Sequence, residues 1–99
     1  NELESVDQKF QVLIEQYGKT NASIELQITY ANFLSYNLNQ SEKGIKLLEE
    51  IIPLASSNFQ KANILISLAD ILVFSNQFNQ ALILYSQVQS NMKNSTIAQ

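Results

Sequence analysis

The chain has 99 residues, 45% hydrophobic and 15% charged, which suits one small domain with a packed core and excludes wholesale disorder. Its six cations are all Lys within a net charge of −3, so the clustered cations and Arg forks that phosphate and base recognition need are missing, and no nucleic-acid partner is expected. Cysteine and histidine are absent, which excludes disulfides, thiolate chemistry and the commonest general base and metal ligand; no cofactor is expected.

Only 2 Gly and 1 Pro interrupt a chain rich in Leu, Ala, Gln and Glu, whose side chains lose little rotamer freedom in a helix. Periodicity predicts an all-α fold of five amphipathic segments. Over residues 3–17, Leu3, Val6, Phe10, Leu13, Ile14 and Tyr17 recur at three- and four-residue steps, with Gly18 as the C-terminal stop. The second segment, 23–38, opens on Ser23 as N-cap and carries Ile24, Ile28, Ala31 and Leu34 on its stripe, with Tyr30 alongside. A polar turn is expected over 37–40. The third, 41–55, turns Gly44 or Ile45, Leu47, Leu48, Ile51, Ile52 and Ala55 inward, and Pro53 is expected to kink or end it. The fourth, 59–74, is apolar nearly all round, which predicts a central helix covered on several sides. The fifth, 78–92, is followed by residues 95–99 as the start of a sixth helix or a tail.

No apolar run reaches the roughly 20 residues that span a bilayer. The longest candidate, 64–74, is interrupted by Ser67 and Asp70, and no basic n-region followed by an apolar h-region stands at residue 1, so no signal peptide is expected within these residues, which leaves a signal or anchor upstream open. The chain starts at Asn1 rather than Met and is expected to be a fragment of a longer protein. It is expected to be soluble, with cytoplasm or bacterial periplasm decided by sequence outside it.

The segments repeat. Leu3, Val6, Phe10 and Leu13 share steps of three, four and three with Ser41, Gly44, Leu48 and Ile51, and with Phe78, Ala81, Tyr85 and Val88. From Val6 to Gly44 is 38 positions, and from Gly44 to Ala81 is 37. Tyr30-Ala31-x-x-Leu34 likewise stands 38 positions before Leu68-Ala69-x-x-Leu72. The run Leu65-x-x-Leu68-Ala69-x-x-Leu72, followed by Ala81-x-x-x-Tyr85, resembles the tetratricopeptide repeat. That family shows W-x2-L-G-x2-Y, then A-x3-F, then P, over about 34 residues and two helices. Departures are local. Gln27 stands in place of the Trp, the first full unit has a one-residue insertion in its turn, and Ser56 and Lys93 replace the closing Pro.

The resemblance implies a right-handed α-α superhelix of antiparallel helix-turn-helix units. It would comprise a half repeat over 1–20, a degenerate repeat over 21–57, a well-matched repeat over 58–94 and a remainder over 95–99. Ala69 and Ala81 would be small where two helices approach, and Phe78 and Tyr85 would fill the gap beside them. The Asn-, Gln- and Lys-rich composition without Arg is similar to that of many-repeat bacterial proteins.

In that family the first helix of each unit lines a concave groove. The resemblance therefore implies a peptide-binding groove from Glu25, Ile28, Thr29, Asn32, Ser35 and Tyr36 of the second segment. The fourth would add Asn63, Ile66, Ser67, Asp70, Val73 and Phe74. Tyr36 and Phe74 would anchor apolar side chains, Asn32 and Asn63 would clamp a peptide backbone, and Glu25 and Asp70 would favour a basic partner. Packing against neighbouring helices competes for Ile66, Val73 and Phe74, and covering the turn competes for Tyr36. Asp70 interrupts an apolar helix, where an unpaired charge is costly, so it either faces the groove or bonds to Asn63, Asn32 or Ser67. A carboxylate clamp of the kind some members use is not expected, because Glu25, Thr29, Ser67 and Asp70 stand where cations would be needed.

The expected function is thus a non-catalytic scaffold binding a protein or peptide. The alternative is a structural element that self-associates through exposed repeat ends, since the first and fifth helices would each lack a neighbour. An enzyme with Asp70 and Glu25 as an acid–base pair is disfavoured by the lack of His, Cys, Arg and metal-loop spacing. Glu42, Glu49 and Glu50 with Lys43 and Lys46 form a solvated helix face. Glycosylation sequons at Asn21, Asn39 and Asn94 are chance matches in an Asn- and Ser-rich chain.

Overall fold

The first helix, α1 (Glu2–Tyr17), begins where the Asn1 side chain accepts a hydrogen bond from the Glu4 amide at 2.9 Å. The computed structural model describes residues 1–98, and among them it holds five helices and no strand. Helix α1 stops at Gly18, whose φ of 74° is left-handed and carries no Cβ strain in glycine. The Gly18 N–H donates to the Ile14 carbonyl at 2.7 Å.

A 3-10 turn, Asn21–Ser23, leads into α2 (Ile24–Tyr36). Ser23 occupies the predicted N-cap position, but its hydroxyl turns back from the helix. It donates to the Gly18 carbonyl at 2.6 Å and accepts from the Thr20 amide at 3.2 Å and the Gln27 side chain at 2.7 Å. Ser23 therefore braces the loop rather than capping α2. Helix α3 (Ser41–Ile51) tightens into a 3-10 turn, Ile52–Leu54, around Pro53, which has no N–H to continue an α-helical ladder. Helix α4 (Asn58–Phe74) is capped by Ser57, which accepts from the Gln60 amide at 3.1 Å. Helix α5 (Phe78–Ala98) takes in residues 95–98, so these extend the fifth helix and do not open a sixth; Gln99 lies outside the described residues.

Two helical hairpins result, α2 with α3 and α4 with α5, and α3 packs on α4 between them. Their turns are built alike. Asn39 and Asn76 take left-handed φ of 56° and 67°. The residue after each accepts from the helix it starts: the Gly44 N–H donates to Gln40 O and the Ala81 N–H to Gln77 O, both at 3.2 Å. Asn tolerates this conformation better than other residues with a Cβ. Asn39→Gly is accordingly expected to change unfolding free energy by less than about 0.5 kcal/mol in urea titration, and Asn39→Val to lower it by about 1–2 kcal/mol.

The core lies where the hairpins meet. Ile24, Ala31, Leu48, Ile51, Ile64, Ala69 and Ile71 are all 0–1% exposed within one cluster, to which α5 adds Ala81. Ala69 and Ala81 are both buried, as their small size leads one to expect. Phe78 is not: it is 53% exposed, so it fills no interior gap. Helix α4 is central but not enclosed, since Ile66, Val73 and Phe74 reach the surface.

Helix α1 buries no residue and is held by aromatic contact. Phe10 stacks on Tyr30 at 5.1 Å between ring centroids and tilts against Phe33 at 5.3 Å. The Tyr30 hydroxyl donates to Asp7 at 2.7 Å, and burial together with that bond pushes its pKa up to about 12. The loop after α1 is tied down by polar bonds. Lys19 pairs with Glu50 at 2.6 Å, which holds the Glu50 carboxyl below its usual range. The Asn21 side chain donates to the Leu54 carbonyl at 3.0 Å and to Gln60 at 2.7 Å.

Candidate functional site

Helix periodicity places Glu25, Thr29, Asn32 and Tyr36 in one stripe along α2, at steps of four, three and four. The same geometry lines up Asn63, Ile66, Ser67, Asp70, Val73 and Phe74 along the outer side of α4. Glu25, Thr29, Tyr36, Ile66, Asp70, Val73 and Phe74 are exposed, and Asn32, Asn63 and Ser67 are half-buried. Two members of the expected groove are not available. Ile28 is 7% exposed and belongs to the core cluster, because it sits to the inner side of the α2 stripe. Ser35 is fully buried and donates to the Ala31 carbonyl at 2.9 Å, wedged where α2 meets α3 at Gly44. Thr29 donates to the Glu25 carbonyl at 2.9 Å.

The two stripes meet at their C-terminal ends. Tyr36 and Phe74 form an edge-to-face pair, with centroids 4.9 Å apart and ring planes at 76°. Asp70 stands one turn before Phe74. Its partner is none of Asn63, Asn32 or Ser67: it accepts a hydrogen bond from the Tyr85 hydroxyl at 2.5 Å. Asp70 thus bonds to the Tyr85 phenol and lies close enough to the Tyr36 phenol for its charge to act there. That bond, with burial and the carboxylate charge behind it, pushes the Tyr85 pKa from 10 up to about 12. Partial burial and the Asp70 charge also raise Tyr36.

Tyr85 belongs to this cluster, although the resemblance implies only that it fills a gap beside Ala69 and Ala81. The signal that marks it is chemical. A Tyr at a position where Phe would serve carries a hydroxyl that needs a partner. A depression of about 530 Å³ with a mixed polar and apolar lining opens between the hairpin turns, where Phe74 and Ile45 stand beside Asn39, Glu42, Lys43 and Gln77.

The raised phenols have a measurable consequence. A group whose folded pKa lies above its unfolded value adds stability that is complete below the unfolded pKa and lost as pH rises through the folded one. For Tyr30 and Tyr85 that window runs from about pH 10 to about 12. Alkaline absorbance titration is expected to show two tyrosines ionising near 12, and Asp70→Asn to bring the Tyr85 midpoint down towards 10.

Among the described residues, no group of three or more His, Cys, Asp or Glu is placed to hold a metal ion. No helix among them is long and apolar enough to cross a membrane. Compared with known proteins, the chain matches no family model, no curated sequence and no solved structure.

Proposed function

We propose that the chain is a non-catalytic, tetratricopeptide-like binding scaffold that takes an extended peptide with a basic side chain across the outer face of α2 and α4. The observation that carries this is the surface cluster of Tyr36, Phe74 and Asp70 at the meeting of the two stripes. Tyr36 and Phe74 are 44% and 50% exposed, so their paired rings offer apolar area to a partner. A Lys or Arg head over such rings gains cation–π attraction, and Asp70 adds an opposite charge beside them. The two stripes carry Glu25 and Asp70 and no cation, which favours a basic segment over an acidic one. Asn32 and Asn63, half-buried along the same face, have amides suited to a peptide backbone. The repeated hairpin turns and the sequence spacing support the repeat type.

Panning a phage-displayed random peptide library on the chain tests this. Enriched peptides are expected to carry Lys or Arg next to an apolar residue. Phe74→Ser with Tyr36→Ala is expected to weaken their binding about tenfold or more. Equal binding by that double variant, or enrichment of acidic peptides, would refute the assignment.

A further inference from the structure

Two phenols in the structure donate to carboxylates, and the two carboxylates end in different states. Asp7 on α1 is saturated: Oδ1 accepts from the Tyr30 hydroxyl at 2.7 Å and Oδ2 from the Gln11 side chain at 2.8 Å. Asp70 on α4 is not. Its Oδ1 accepts from the Tyr85 hydroxyl at 2.5 Å, while its Oδ2 has no hydrogen-bond partner among the described residues. No ion pair among them neutralises Asp70 either. Asp7 and Tyr30 are half-buried, and Asp70 and Tyr85 are exposed. The first bond fastens α1 to α2. The second fixes a carboxylate that still has an oxygen to offer.

We propose that Tyr85 is a specificity-determining residue of the α2–α4 face: by occupying one oxygen of Asp70, it makes the face take the ammonium of a lysine side chain in preference to an arginine guanidinium. This rests on the peptide-binding reading of that face and adds to it a helix, α5, that belongs to neither stripe.

The preference follows from how each cation meets a carboxylate. A guanidinium gains its advantage by laying two parallel N–H bonds across both oxygens. At Asp70 that fork has to share Oδ1 with the Tyr85 hydroxyl, so one of its two bonds is compromised. An ammonium is a compact charge with three rotatable donors and needs no fork. One donor serves Oδ2. A second is served by the Tyr85 oxygen, which has spent its own hydrogen on Asp70 and turns only lone pairs outward. The exposed rings of Tyr36 and Phe74 cover the aliphatic stem of the lysine. Their cation–π attraction is open to both cations and is weaker than a charge-assisted hydrogen bond, so the carboxylate decides.

The peptide recovered by panning, synthesised with Lys, Arg or norleucine at its basic position, tests this by calorimetric titration. The Lys form is expected to bind about threefold or more tighter than the Arg form, and about tenfold or more tighter than the norleucine form. Tyr85→Phe frees Oδ1 and removes the phenol oxygen. It is expected to weaken the Lys form about threefold or more and to leave the Arg form unchanged or tighter, which erases or reverses the preference. A merely structural role for Tyr85 would weaken all three forms alike. Tyr30→Phe removes the other phenol–carboxylate bond and is expected to leave the Lys-to-Arg ratio unaltered. Equal binding of the Lys and Arg forms by the wild-type chain would overturn the proposal, and so would an unchanged ratio in Tyr85→Phe; either result leaves peptide binding itself intact. Failure of every form to bind the wild-type chain would overturn the peptide-binding reading and this proposal together.

Discussion

Gly44→Ala is expected to destabilise the chain by about 2–3 kcal/mol in urea unfolding, with no change in slope. The sign is the informative part. Inside an exposed helix the same substitution stabilises by about 1 kcal/mol, because Ala has the higher helix propensity. Here a Cβ on Gly44 would stand 2.7 Å from the Ala31 carbonyl oxygen, and closer still to the Ser35 hydroxyl oxygen. Ser35 is itself buried and bonded to that carbonyl, so it has no open space to rotate into. The α2 backbone would have to move away from α3. Adding Ser35→Ala is expected to recover part of the loss and not all of it, since the carbonyl contact remains.

Leu48→Ala is expected to cost about 3–4 kcal/mol, through lost transfer energy plus the cavity left behind. Leu48 is 0% exposed and lies in the cluster where α2, α3 and α4 meet. For a chain of this length, total stability is on the order of 5–15 kcal/mol, so one such change removes a large share. Val12→Ala on α1 is the matched control. Val12 is 55% exposed, and its loss is expected to fall within about 0.5 kcal/mol. Equal effects at the two positions would mean that the core is not where the hairpins meet.

Much of this architecture was legible from spacing. Apolar residues at three- and four-residue steps mark which side of a helix turns inward, and that locates the first four helices to within a few residues and the start of the fifth, which runs on to Ala98 rather than ending near Met92. The recurrence at 37 and 38 positions corresponds to two hairpins with the same Asn-led turn. What spacing does not encode is which side chain reaches across to which. Ser23 reads as a cap because Ser before an apolar run usually is one, but the loop from Gly18 to Thr20 competes for its hydroxyl and wins. Ile28 and Glu25 differ by less than a turn, yet one is core and the other surface, a distinction finer than a stripe of residues resolves. The Asp70–Tyr85 bond joins two helices, and neither residue signals the other locally.

Gln27 shows the same limit. It stands where the repeat pattern has Trp and is fully buried, with its amide nitrogen bonded to Ser23 and no partner for its side-chain oxygen in the structure. A buried acceptor without a partner costs about 1–3 kcal/mol. Gln27 thus occupies an interior position that an apolar side chain would fill without leaving an acceptor unpaired.

The peptide-binding assignment rests on the α2–α4 face, and amide chemical-shift mapping tests it most directly. The isotope-labelled chain would be titrated with the consensus peptide recovered by panning. Shifts centred on Tyr36, Asp70 and Phe74, extending along the outer stripes of α2 and α4, are predicted. Shifts centred instead on α1, α3 or α5, with those three residues unmoved at saturation, would contradict it.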